Sequence, residues 1–181
     1  MDYLYEDLVS RHAKNFIPVV IPKTKIDKIH NFAKQVIEAK QKENHHKVDC
    51  NHEYKRFVTG LMGEAAVEEL LKMDIIEWDI GNSKNYNHPD IKKLGIGIKT
   101  SERNKFPIIF KKNTYPQIIC ILSDKRPDIV FVCGLATPEV LNRYQSDTLV
   151  LSQNLLNRGT KTGFYGFHKL QRIKKWDYMT F

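Results

Sequence analysis

Five short apolar runs, at residues 75–80, 94–100, 106–111, 116–122 and 129–134, are separated by Gly, Pro, Asn and Asp and follow two stretches of helical periodicity. Runs of this length bounded by turn residues read as β-strands. Upstream, Ile26, Ile29, Phe32, Ala33, Val36 and Ile37 recur at the three-and-four spacing of one helix face, which predicts an amphipathic helix of about four turns over 26–39. A second helix is expected from about Glu53 to Met73. In "ATPEVLNRY", Thr137 is placed as an N-cap with Pro138 at the first helical position, so a helix follows the last strand. Helices that precede and follow a run of strands predict an α/β chain of the α+β kind, a central mixed sheet flanked by helices. Residues 1–24 read either as an arm packed on the body or as a short helix followed by an extended piece. Residues 1–50 are taken as an N-terminal arm and helical extension, and 51–181 as the core of one compact domain.

The 181 residues, 41% hydrophobic and 28% charged, exclude a disordered chain and suffice for one core. The 29 Lys+Arg against 21 Asp+Glu leave a net charge of +8. A positive field of this size draws in polyanions, so DNA is the first partner to consider, although the same charge also serves solubility alone. Cys50, Cys120 and Cys133 are odd in number, and the last two sit in apolar runs where a thiol acts as a small hydrophobe. The acidic start "MDYLYEDLVS" has no basic segment followed by an apolar one. The longest apolar stretch, "IVFVCGLA", falls far short of a membrane span. A soluble, cytoplasmic protein is expected.

The chemistry concentrates in "HPDIKKLGIGIKTSE", residues 88–102. Strand alternation puts Leu94, Ile96, Ile98 and Thr100 on one face and Gly95, Gly97, Lys99 and Ser101 on the other. Lys99 therefore leaves the core. A tight connection through Lys92 and Lys93 would return the chain so that Asp90 and Lys99 converge. Such a pair suits phosphodiester hydrolysis: the carboxylate holds a divalent metal while the lysine orients water and offsets phosphate charge. In the preceding helix, Glu64 and Glu68 fall on the stripe of Phe57, Leu61 and Leu71. Carboxylates there are costly unless a metal or Lys99 pairs with them, or unless they reach water or a surface lysine at the helix edge. Gly60 and Gly63 would let that helix approach the sheet closely.

In order, "GLMGEAAVEELL", "HPD", "GIGIKTSE" and "DIVFVCGLATPEVL" resemble the PD-(D/E)xK nuclease superfamily over roughly residues 53–170. The resemblance implies a restriction-endonuclease-like core within 51–181 and a DNA endonuclease dependent on Mg²⁺, with Mn²⁺ as a substitute. It implies catalytic and metal-binding roles for Glu64 and Asp90 and a water-directed role for Lys99. Gly97 stands where the family places an acid. The missing carboxylate is expected from Glu64 or Glu68 on the helix or from Glu102 beyond the strand, or the site is impaired. Parity disfavours Glu102 and favours the helix glutamates. The Ile98 carbonyl is a further candidate ligand, since hard cations accept backbone oxygens. Many nucleases dimerise to cut both strands, and a homodimer is compatible with the resemblance, but no heptad or self-complementary patch marks an interface.

Contacts to nucleic acid are expected from Ser101, Arg103, Arg158, Lys161, Lys169 and Arg172. The stretch "NRGTKTGFYGFHKLQRIKKW" interleaves such cations, with Lys174 and Lys175, among Phe164, Tyr165, Phe167 and Trp176, and basic side chains with aromatic faces suit backbone contact and base stacking. Glycines 159, 163 and 166 would let the backbone come close. An ordinary hairpin and final helix with a solvated basic face is the competing reading. In "KENHHKVDCNHE", His45, His46, Cys50 and His52 are zinc-ligand types. A structural zinc site needs a second short-spaced pair, which is missing, so this segment reads as a solvated loop. Two rivals stand beside the nuclease: a non-catalytic nucleic-acid-binding module on the same fold, and a protein-interaction domain for an acidic partner.

Overall fold

A computed structural model describes residues 2–41, 50–80 and 88–173. Helix α1 (Asp2–Leu8) leads through a 3-10 turn to strand β1 (Ile17–Val20), and Pro22 then opens α2 (Lys23–Gln41). Within residues 1–24 a short helix is therefore followed by an extended piece, and Tyr5 and Val9 pack that segment on the body. In α2 the three-and-four stripe is buried at Ile29, Ala33, Val36 and Ile37, and it packs on α3 (Cys50–Leu71). Because α3 begins at Cys50, Cys50 and His52 lie on a helix and not in the expected loop. The helix ends at Lys72, whose left-handed φ of 56° turns the chain while its N–H reaches the Glu68 carbonyl.

The strand expected at 75–80 does not form. Its first two amides are taken elsewhere: Ile75 and Ile76 both donate to Glu68 Oε1 at 2.7 Å. A carboxylate oxygen is a stronger acceptor than a peptide carbonyl and satisfies both groups without a partner strand.

The remaining runs build two sheets. Strands β2 (Gly97–Ser101), β4 (Gln117–Leu122) and β5 (Ile129–Ala136) join β1 in the order β1-β5-β4-β2. β2 and β4 are parallel, and the other pairs are antiparallel. Strand β3 (Ile108–Phe110), in the crossover from β2 to β4, joins β6 (Gln145–Ser146) and β7 (Lys161–Phe164) in a small antiparallel sheet ordered β3-β7-β6. The segment 1–50 thus supplies an edge strand and a packing helix to the same layers as the rest. Thr137 caps α4 (Pro138–Arg143), its hydroxyl accepting from Val140 N, with Pro138 in the first turn.

Both faces of the main sheet are covered, which explains why β4 reads as an unbroken apolar run after its first residue. On one face, Ile98, Ile118, Cys120, Val130 and Val132 pack with α2 and α3; on the other, Ile119, Ile121 and Cys133 meet Tyr5, Phe106, Ile109, Leu141, Leu149, Phe164 and Phe167. Burial pushes the Cys120 and Cys133 thiols well up, so both act as core hydrophobes. Among the described residues no helix is long and apolar enough to cross a membrane.

Candidate active site

Asp90 is aimed by a compact turn. Ile91 and Ile96 form an antiparallel bridge around a 3-10 turn at 92–94, closed by Gly95 at φ 64°, a conformation that glycine adopts without penalty. The turn brings Asp90 back alongside β2, where its Oδ2 accepts the Ile98 amide at 2.5 Å. Gly97 N–H bonds inward to the Pro116 carbonyl, so alternation leaves the Ile98 amide and carbonyl on the open side of the edge strand. The expected ligand oxygen of Ile98 therefore lies on the same side as Asp90.

Glu64 reaches this edge from α3. The helix can sit that close because Gly63 has no side chain: a Cβ there would come within 1.7 Å of Thr100 Oγ1. Gly60, expected to serve the same approach, faces open space and does not. Glu64 is partly buried, and its pKa is pushed up to about 8 by burial first, then by the charges of Asp90 and Glu68, with Lys99 acting in the opposite direction. Asp90 keeps an exposed flank. Loss of water around its carboxyl nonetheless holds its pKa above the ordinary value, against the pull of the Ile98 amide and Lys99. The three residues Glu64, Asp90 and Lys99 thus share one electrostatic neighbourhood at the β2 edge.

Glu68 does not join them as a spare acid. One oxygen accepts the two amides of Ile75 and Ile76 and the other accepts Lys25 Nζ at 3.0 Å. Glu102 is also engaged elsewhere, by Lys55 at 3.0 Å and Lys105 at 2.9 Å. Lys55 belongs to α3, so Glu102 turns to the side that parity assigned it. Neither acid replaces the one absent at 97.

At position 97 itself, a Cβ would lie 2.8 Å from Tyr115 Cε2, 3.4 Å from Gln117 Cγ and 3.5 Å from Asp90 Oδ2. The tyrosine ring occupies the room that a longer side chain would need. Burial and the nearby Asp90 raise the Tyr115 pKa. Tyr115 and Gln117 escape a reading along the chain because only the register Gly97↔Gln117 brings them here. The available signal is a lone polar residue, Gln117, opening an apolar strand.

Of the expected nucleic-acid contacts, Lys161 is the one whose charge feels the repulsion of Lys99. Its ammonium sits 3.2 Å from the centroid of the Phe110 ring, and burial, then Lys99 and Arg56, lower its pKa to about 8. Arg103 pairs with Asp124 at 3.5 Å. Arg158 is exposed at the end of α5 (Gln153–Asn157). Arg172 lines a separate pocket with His12 and His168, and the exposed Lys169 adjoins it. Ser101 is buried and cannot meet a phosphate at the surface. Phe164 and Phe167 are core residues, and glycines 163 and 166 back onto Leu149, Tyr144 and Phe164, so these positions serve packing and not base stacking. His45, His46, Lys174, Lys175 and Trp176 lie outside the described residues.

The carboxyl pair fits a divalent cation in one respect: each acid is held towards its neutral form by missing water, which a cation would relieve. It falls short in another. Among the described residues no group of three or more His, Cys, Asp and Glu stands ready to hold a metal ion. Comparison of the chain with family models, with curated proteins and with solved structures gives no match.

Proposed function

We propose that this chain is a metal-dependent endonuclease acting on DNA, built on a restriction-endonuclease-like core. The observation that carries the reading is Asp90 held by the Ile98 amide at the open edge of β2, within the electrostatic reach of Glu64 and Lys99. Asp90, Glu64 and the Ile98 carbonyl would hold Mg²⁺ or Mn²⁺. When bound, such an ion polarises a phosphoryl oxygen and makes water a better nucleophile. Lys99 orients the attacking water and offsets charge gathering on the phosphate. Lys161 and Arg56 extend the positive field along which a phosphate backbone approaches.

The test is cleavage of supercoiled plasmid and of labelled branched and single-stranded DNA with Mg²⁺, Mn²⁺ or EDTA. Metal-dependent cleavage by the wild type is expected, reduced at least 100-fold in Lys99→Ala, Asp90→Ala and Glu64→Ala with the fold intact. Cleavage that persists in EDTA, or in Lys99→Ala, overturns the assignment. One observation favours a second reading, a binding module without catalysis: Tyr115 fills the place of the acid absent at 97. That reading expects salt-sensitive DNA binding, falling steeply between low and physiological salt, with no cleavage in either metal.

A further inference from the structure

Beside the position where β2 lacks its acid stands a glutamine whose buried side-chain oxygen has no donor. Gln117 is 2% exposed, and its orientation is dictated by neighbours whose polarity cannot be reversed. Asn142 is fixed by main chain: its Oδ1 accepts Asn113 N at 2.8 Å and its Nδ2 donates to Asn113 O at 3.0 Å. Facing that Oδ1 and the Phe110 carbonyl, the Asn113 side chain must present its Nδ2, at 3.1 and 2.7 Å. Its Oδ1 is left as an acceptor, so Gln117 must donate through Nε2, at 3.1 Å. A main-chain amide and carbonyl have fixed roles, and the order propagates through both asparagines. Gln117 Oε1 ends the relay buried and without a partner.

Leaving such an oxygen unpaired costs about 1–3 kcal/mol, and native proteins keep few of them. Its surroundings suggest what it serves. Gln117 stands in register with Gly97, on the sheet face shared with Lys99. The point where a Gly97 Cβ would sit is 2.8 Å from Tyr115 Cε2, 3.4 Å from Gln117 Cγ and 3.5 Å from Asp90 Oδ2. The glutamine and the aspartate therefore flank one spot, with the Tyr115 ring as its third wall. A flipped amide would present two donors in place of Oε1 and repel a cation; the relay excludes that flip.

We propose that Gln117 Oε1 is an oxygen ligand of the divalent cation held by Asp90, a neutral substitute reaching from β4 for the acid that β2 lacks. Asn113 and Asn142 are its positioning residues. The inference rests on the nuclease reading. It accounts for a metal site with only two carboxylates and for a side-chain amide spent on internal hydrogen bonds at one end only. An amide oxygen brings no charge, so the ion keeps more of its own and is held less tightly than by three acids.

The experiment titrates the full-length protein with Mn²⁺ by calorimetry and follows the Gln117 side-chain amide by ¹⁵N NMR while Mg²⁺ is added. Wild type is expected to bind Mn²⁺ and to shift the Gln117 Nε2 resonances with Mg²⁺. Gln117→Met, similar in length without the oxygen, should bind at least tenfold more weakly, and Asp90→Asn more weakly still. If Asp90→Asn loses Mn²⁺ while Gln117→Met binds as wild type and the amide resonances stay in place, Gln117 is no ligand and the nuclease reading survives. If wild type binds no Mn²⁺, that reading falls and takes this inference with it. Should Gln117→Met fail to fold, the wild-type resonances alone decide the matter.

Discussion

Two successive turns of α3 carry two glutamates on one stripe, and the helix treats them in opposite ways. Glu68 is buried with each oxygen bonded, to two main-chain amides and to Lys25. Glu64, one turn earlier, accepts no hydrogen bond among the described residues and faces Asp90, a like charge. The first carboxylate replaces a missing strand partner for Ile75 and Ile76; the second is held in a place that charges it only with difficulty. Burial alone therefore does not separate a carboxylate that serves the fold from one left short of partners. The partners do.

The largest effect expected from breaking this contrast is at Glu68. Glu68→Ala leaves two buried amides and the Lys25 ammonium without their acceptor, and should cost about 3–5 kcal/mol, read as a lower urea midpoint. An unchanged midpoint would remove the structural half of the comparison.

Glu64 should behave in the opposite sense. Its folded pKa, about 8, lies above the ordinary 4.5, so the folded state binds the proton more tightly than the unfolded one. The stability this proton supports is full below about pH 4.5 and is lost as the pH rises towards about 8. Without metal, Glu64→Gln should match wild type near pH 5 and exceed it by roughly 1–3 kcal/mol at pH 8–9, after allowing for water on the exposed side. Melting temperatures in EDTA across that range check the sign, and a mutant that loses stability as pH rises would reverse the argument.

Smaller changes sharpen the picture. Gly63→Ala forces a methyl onto Thr100 Oγ1 and should cost about 1–3 kcal/mol through overpacking, while Gly60→Ala, with open space around it, should be neutral or slightly stabilising through helix propensity. Chemical denaturation of both variants separates the two glycines. The least effect concerns Lys161: in Lys99→Met, removal of one neighbouring cation should move its pKa upward from about 8, though burial keeps it below the usual lysine value. Side-chain ¹⁵N NMR of the lysines reads that shift.

The sequence made these contrasts only partly legible. Helical spacing located α2 and α3, and strand alternation put Lys99 away from Ile98 and Thr100, because both patterns depend on neighbours a few residues apart. What it hid depends on contacts between distant segments. The run at 75–80 has strand composition, yet Glu68 claims its amides. Phe164 and Phe167 look like stacking surfaces beside cations, yet the small sheet seals them inside with Leu149 and Leu141. Glu64 and Asp90 were visible as types in order. Gln117, 20 positions after Gly97 in the chain, becomes its neighbour only through a parallel register, and no local pattern encodes a crossover of that kind.

The ring of Tyr115 against Gly97 has a consequence for the history open to this chain. A Cβ at 97 meets that ring at 2.8 Å, so an acid cannot enter there until the tyrosine shifts or shrinks, and losing the tyrosine alone opens a gap beside Asp90. The choice of residue at 97 is thus coupled to the place of the ring at 115.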